Sequence, residues 1–157
     1  MNKKGFSLVE LLAVIVILAV IALITSPLIL NVIEDSRQSA FKSSLNGIKK
    51  AIENDYSDNG FDHTREYYYG CEAGGLSTNG ASDKKLRAKK SNGSYEEIAV
   101  SGEINGKGKG KVSATGTISV GIYTDKFCGI VRGNDISIQK IGKDISKADC
   151  LNEIGAI

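Results

Sequence analysis

Tryptophan is absent from the sequence, and histidine and proline occur once each. The single histidine, His63, sits in a polar stretch, and no two cysteines are close in sequence. That makes zinc a weaker use of the cysteines than a disulfide and gives little support to histidine-based catalysis. No nucleophile elbow appears, and no pair of carboxylates stands at a recognisable catalytic spacing. Neither sign of charge prevails. The 20 basic and 18 acidic residues leave a formal +2, which argues for no particular polyanionic partner. Cysteine is sparse and odd in number, at three. Glycine is plentiful, with 18 residues mostly beyond position 58, and that composition suits short strands joined by tight turns.

What the chain does have is one long apolar run. From Leu11 to Ile24 every residue is Leu, Ile, Val or Ala, and the run resumes after Thr25-Ser26-Pro27 with Leu28-Ile29-Leu30. As a helix rising about 1.5 Å per residue, those positions reach roughly 30 Å, the thickness of a bilayer's hydrocarbon core. Lys3 and Lys4 precede the run and no basic cluster follows it directly, which places residues 1–4 in the cytoplasm and the rest outside. Glu10 stands at the edge of the run with no basic residue inside it, and an ionisable group there signals function. Pro27 removes a helix hydrogen bond and is expected to kink or loosen the helix about one turn earlier. A cleaved secretory signal is disfavoured, because Leu28 to Asn31 offers no small-residue cleavage site. An ordinary signal-anchor with Glu10 among the headgroups is the plainer reading of the same run.

The stretch Lys3-Lys4-Gly5-Phe6-Ser7-Leu8-Val9-Glu10-Leu11-Leu12 resembles the class III signal of type IV prepilins and pseudopilins. The resemblance is close from Lys3 to Pro27 and looser to Tyr56. It implies cleavage after Gly5 by a membrane prepilin peptidase, methylation of the new terminus at Phe6 by the same enzyme, and assembly guided by Glu10 against the terminal amine of a neighbouring subunit. Pro27 falls where pilins often carry a helix-loosening proline. Charge pairing would act as a register check, since positions 6 and 10 share a helix face and a buried unpaired charge is costly.

Beyond Pro27 the pattern turns amphipathic. Ile33, Phe41, Leu45, Ile48, Ile52 and Tyr56 follow helical spacing, with Glu34, Lys42, Lys49 and Glu53 between them. One bent helix is expected to about Tyr56, ending in Ser57-Asp58-Asn59-Gly60. From Phe61 to Lys90 the pattern is weak. Tyr67-Tyr68-Tyr69 reads as a short strand or as packing on the helix, and Gly74 to Gly80 reads as loop. Lys84, Lys85, Arg87, Lys89 and Lys90 form a basic run, whose plain reading is a solvated face and whose sharper one is a patch for DNA or an acidic cell-wall polymer. No aromatic residue interleaves the run, so base stacking gains no support.

From Tyr95 the period becomes two. Ile98, Val100 and Ile104 share one parity, and Val112, Ala114, Ile118, Val120 and Ile122 another. They suggest two antiparallel strands joined by Asn105 to Gly110. That glycine cluster lacks the lysine-hydroxyl pair and following helix of a phosphate loop. Two-residue turns at Asp125-Lys126 and Gly133-Asn134 both put Val120, Ile122, Val131, Ile136 and Ile138 on one face. Cys128 then points to the other face, which favours a disulfide from Cys128 to Cys150 that tethers the tail. Cys71 with Cys128 or with Cys150 stays open. Asp144, Asp149 and Glu153 read as scattered surface acids, with calcium as the sharper alternative.

The expected fold is α+β, a transmembrane-plus-amphipathic helix packed on a roughly four-stranded antiparallel meander, similar to the ladle of pilins. Expected segments are a leader at 1–5, a filament-core helix at 6–30, its extension at 31–56, a connection at 57–94, the sheet at 95–141 and a tail at 142–157. The implied role is a major or minor filament subunit, without cofactor, catalytic residue or metal. The implied partners are prepilin peptidase, other pilin subunits, the cytoplasmic membrane, and an assembly platform with its ATPase. Before assembly it would be a single-pass membrane protein, and afterwards part of an extracellular filament. The alternative is a DNA-uptake or adhesive tip pilin that binds DNA or a cell surface. An enzyme tethered outside the membrane ranks last.

Overall fold

The computed structural model describes residues 5–71 and 82–157. The expectations for Lys3, Lys4 and the Gly74 to Gly80 loop lie outside those residues. The chain divides into two compact units, 1–37 and 38–157. Helix α1 (Leu8–Asp58) belongs to both, and each unit is taken in turn.

In the first unit α1 is apolar on every side from Leu11 to Ile24. Leu8, Leu11, Leu18, Leu23, Ile24 and Leu30 are all more than half exposed. A helix of such composition finds no partner within its own unit and is long and apolar enough to cross a membrane. Near its middle the Thr25 hydroxyl donates to the Ile21 carbonyl at 3.0 Å and the Ser26 hydroxyl to the Ala22 carbonyl at 2.7 Å. Such back-bonding bends helices, and Pro27 brings no N–H to the Leu23 carbonyl. Three consecutive residues therefore weaken the ladder at one place.

The second unit is an antiparallel sheet with a helix on each face. Its strands are β1 (Glu66–Tyr69), β2 (Leu86–Lys89), β3 (Tyr95–Ile98), β4 (Lys107–Val112), β5 (Ile118–Tyr123), β6 (Phe127–Arg132) and β7 (Asp135–Lys140). Their order across the sheet is β3-β2-β1-β4-β5-β6-β7. The first three strands wind outward to one edge, the chain returns to lay β4 beside β1, and the last four wind to the other edge.

The strand count is thus seven rather than four. Two of the additional strands, β1 and β2, fall between Phe61 and Lys90, where hydrophobic periodicity is weak because each strand is only four residues long. The glycine-rich stretch expected as a connection is mostly strand, since Lys107–Val112 pairs with β1 and β5 at once. The strand expected through Val112 to Ile122 is broken by a turn in which Gly116 donates to the Ser113 carbonyl and Ser113 to the Thr117 carbonyl. Ala114 is consequently exposed. The registers Val120 to Val131, Ile122 to Gly129, Val131 to Ile136 and Gly129 to Ile138 are as expected from the two turns.

One face of the sheet packs on the end of α1. Phe41, Leu45, Ile48 and Ile52 are buried with Tyr67, Tyr69, Leu86, Val112, Val120, Ile122 and Val131, and Phe41 stacks on Phe127 at 5.6 Å. The approach is closer than side chains would allow. A Cβ at Gly129 would lie 2.6 Å from Phe41 Cε1 and 2.9 Å from Leu45 Cδ2, and one at Gly110 would lie 2.8 Å from Ile52 Cδ1. On the helix, Gly47 makes room for the Ser101 carbonyl, only 2.0 Å from where its Cβ would stand. The loop carrying Ser101 is pinned by Tyr69, whose hydroxyl accepts from the Ile104 amide at 2.9 Å and donates to its carbonyl.

The other face carries helix α2 (Lys147–Gly155), where only a tail was expected. Ser146 caps it by accepting from the Asp149 amide at 3.1 Å. Cys150 and Ile154, one helical turn apart, are buried against Tyr123, Cys128 and Ile130. Gly121 admits them, since a Cβ there would meet Ile154 at 2.7 Å. The Lys109 ammonium donates to the Gly155 carbonyl at 2.9 Å, where a cation complements the helix dipole.

Adding one methyl under the helix tests this packing. Gly129→Ala should lower the unfolding free energy by about 1–3 kcal/mol, as overpacking of a filled core does. Chemical denaturation of the full chain in detergent, followed by tyrosine fluorescence, reads that change.

Candidate processing and assembly site

The candidate site begins where α1 begins. Gly5, Phe6 and Ser7 precede the helix and are exposed, Phe6 at 91%. The first helical turns leave backbone N–H groups without partners, and side chains must supply them. Ser7 and Glu10 do so reciprocally. The Ser7 amide donates to Glu10 Oε2 at 2.8 Å, and the Glu10 amide donates to Ser7 Oγ at 3.3 Å. The Leu11 amide then closes the first turn on the Ser7 carbonyl at 3.2 Å.

This is a capping box, and its sequence signature is the spacing Ser7-x-x-Glu10. Reading Glu10 only as an unpaired carboxylate missed Ser7, although that spacing was visible. The box has two chemical effects. It stops the helix at Ser7, so the Gly5–Phe6 peptide bond lies outside the helix, and its carbonyl is not committed to the helical ladder. It also holds the Glu10 carboxylate toward the start of the chain, while one accepted bond leaves most of its acceptor capacity unused.

The basic run behaves differently from its linear reading. Lys84 pairs with Glu103 at 2.9 Å, Lys85 with Glu97 at 2.7 Å, Lys89 with Glu66 at 3.6 Å and Lys90 with Glu96 at 3.2 Å. Arg87 pairs with Asp83 and also donates to the Cys71 carbonyl at 2.7 Å. Every cation of the run therefore has an acid beside it. Lys90, and then Arg65, hold the Glu96 carboxyl below the ordinary carboxylate range. Arg65 is itself buried, lying 3.5 Å from Asp55 and 3.1 Å from Glu96. Asp55 also accepts from Tyr67 at 2.9 Å.

The fold does supply aromatics that the run lacks in sequence. Arg87 is registered with Tyr68 and Lys89 with Tyr95, and the two tyrosine rings meet edge to face at 6.0 Å. Burial, then a hydrogen bond to Glu66, pushes the Tyr68 hydroxyl up to about 12. That face is mixed in charge, with Glu66 and Glu97 among the cations.

The cysteines are placed as follows. Cys128 on β6 and Cys150 on α2 form a disulfide with Cα atoms 5.9 Å apart, and Cys71 is buried outside it. Closing a loop of 22 residues constrains the unfolded chain by roughly 3 kcal/mol on the entropy model. In the tail, Asp144 accepts from the Lys140 amide and Asp149 from the Ser146 hydroxyl. Among the described residues no three His, Cys, Asp or Glu side chains converge as for a metal.

Residues 1–26 match the family described as the prokaryotic N-terminal methylation motif. No curated protein matches the chain, and no solved structure does. The chain thus carries a type IV pilin-type N-terminal signal, and the rest of it must be read from its own chemistry.

Because its charges are already paired, the basic run should contribute little to polyanion binding. Replacing Lys84, Lys85 and Arg87 by glutamine should leave DNA binding within about twofold at low salt, whereas unpaired phosphate contacts would lose affinity together with part of the salt slope. Gel-shift titrations at two salt concentrations distinguish the two.

Proposed function

We propose that this chain is a subunit of a type IV filament, made as a membrane-anchored precursor, cut after Gly5, methylated at Phe6 and assembled through α1. The observation that carries the reading is the methylation motif over residues 1–26. In support, the Gly5–Phe6 bond is exposed directly ahead of a capped helix that is apolar on all sides from Leu11 to Ile24.

The mechanism follows from solvation. Leu11 to Leu30 stays out of water in two surroundings, first lipid and then the helices of neighbouring subunits. Apolar contacts give no helix a preferred register, because sliding by one turn exchanges leucine for isoleucine at little cost. Charge supplies the register. Cleavage creates an amine at Phe6, and Glu10 of an adjacent subunit can accept from it only at one offset. A misplaced subunit leaves both charges desolvated and unpaired, which costs several kcal/mol. The weakened ladder at Thr25-Ser26-Pro27 allows the helix to adjust on leaving the bilayer.

A DNA-uptake or adhesive tip pilin would share all of this and differ in its outer surface. Ion pairing throughout the basic run gives that reading less support than a packing subunit receives. A tethered enzyme gains no support from the methylation motif.

Gly5→Ala should leave full-length, unmethylated protein in the membrane, as seen by mass spectrometry of the N-terminus. Normal trimming of that variant would refute the cleavage site. Glu10→Gln keeps the bond to Ser7 but removes the charge, so it should be cut normally and enter sheared filaments at least about tenfold less than the parent, a loss equivalent to about 1.4 kcal/mol. Immunoblotting of filament and membrane fractions measures the split.

A further inference from the structure

The two edges of the sheet are not equivalent. Strand β3 carries Glu96 and Glu97 side by side, and charge on an edge discourages further pairing. Strand β7 reads Asp135-Ile136-Ser137-Ile138-Gln139-Lys140 and has no charge between its ends. Its outward backbone groups follow from the ladder. The Ile141 amide bonds to the Lys126 carbonyl at 2.8 Å, so the bonded pairs within the hairpin are Cys128 with Gln139, Ile130 with Ser137 and Arg132 with Asp135. Ile136, Ile138 and Lys140 therefore direct N–H and C=O away from the sheet. At Lys140 both are used, the amide by Asp144 and the carbonyl by the Asp144 amide, each at 2.8 Å. At Ile136 and Ile138, two donors and two acceptors have no partner among the described residues.

These groups fit themselves. We propose that β7 pairs antiparallel with β7 of a second copy of this chain, with Ser137 of each copy on the two-fold axis. In that register Ile136 of one copy lies opposite Ile138 of the other, twice, and all four outward groups of each copy are hydrogen-bonded. Shifting the register toward the strand's end would set Ile136 against Lys140, whose groups are already taken. A shift the other way would set Ile138 against Asn134 in the turn. The centred register also opposes Asp135 to Gln139 and brings no like charges together. Ile136 and Ile138 are half-buried on the edge of the main core, so pairing extends that apolar face across the contact.

The contact is small, and its strength depends on the copies sharing a membrane, which raises their effective concentration. A two-fold contact closes on itself and cannot propagate a filament, so it joins copies in pairs. The inference goes beyond the filament reading and does not require processing or assembly.

Ser137→Cys tests it. In the proposed register the two Ser137 positions form a non-bonded antiparallel pair with Cα atoms about 4.5 Å apart, within disulfide reach. Made in the Gly5→Ala chain, which isolates the contact from filament assembly, mild oxidation in membranes should give a reducible dimer. Its yield should be roughly tenfold above that of Thr115→Cys, an exposed turn position away from β7, as for thiols held at millimolar effective concentration. Adding Ile138→Pro removes an outward N–H that the chain's own sheet does not use and should abolish the product. Equal yields from Ser137→Cys and Thr115→Cys, a product whose mass is not twice the chain, or crosslinking that survives Ile138→Pro would each overturn the proposal.

Discussion

The second unit depends on how close its helix can come to its sheet. Phe41, Leu45 and Ile52 descend onto positions where the sheet presents Gly129 and Gly110 rather than side chains. Over those two glycines the helix side chains reach the strand backbone, while Tyr67, Tyr69, Val120 and Val131 of the sheet fill the core beside them. Gly47 extends the rule to the helix, letting the Ser101 carbonyl rest on it. Glycine weakens a strand by its entropy and its missing side chain. The offset here is burial of large apolar groups at about 25 cal/mol per Å².

The same device serves the opposite face at smaller scale. Gly121 admits Ile154, and α2 settles over Tyr123 and Ile130. A nine-residue helix with two fully buried side chains is too short to hold itself in place by propensity. Its other holds are covalent and electrostatic, namely the Cys128–Cys150 disulfide at one buried position and Lys109 at its C-terminal carbonyls. The disulfide links the two layers directly, so the tail cannot leave the sheet without breaking it.

What could be read from sequence followed from where side chains carry the signal. The β5–β6–β7 registers were legible because Val120, Ile122, Val131, Ile136 and Ile138 alternate with polar residues and two turns require the same face. The β4 strand was not, because its core-facing positions are Gly108, Gly110 and Val112. Glycine has no hydrophobic signature, and Lys107, Lys109 and Lys111 on the other face make the stretch look like a charged loop. In β2 the inward residues are only Leu86 and Ala88, so the lysines and arginine around them dominated. The acids that pair with those cations come mostly from other strands and loops and could not be seen at all. Helix α2 had a signal in Ser146 and Asp149, but a single apolar turn is indistinguishable from a tail.

At the other end of the chain the problem is inverted, since α1 from Leu11 to Ile24 has apolar surface everywhere and so nothing there to choose between arrangements. Polar groups must then carry all of the specificity, and only a few are present. Ser7 and Glu10 satisfy each other's amides in the isolated chain, which keeps the carboxylate hydrogen-bonded while it waits. In the proposed filament, the carboxylate that caps the helix of the precursor would also be the group that reads a neighbour's register.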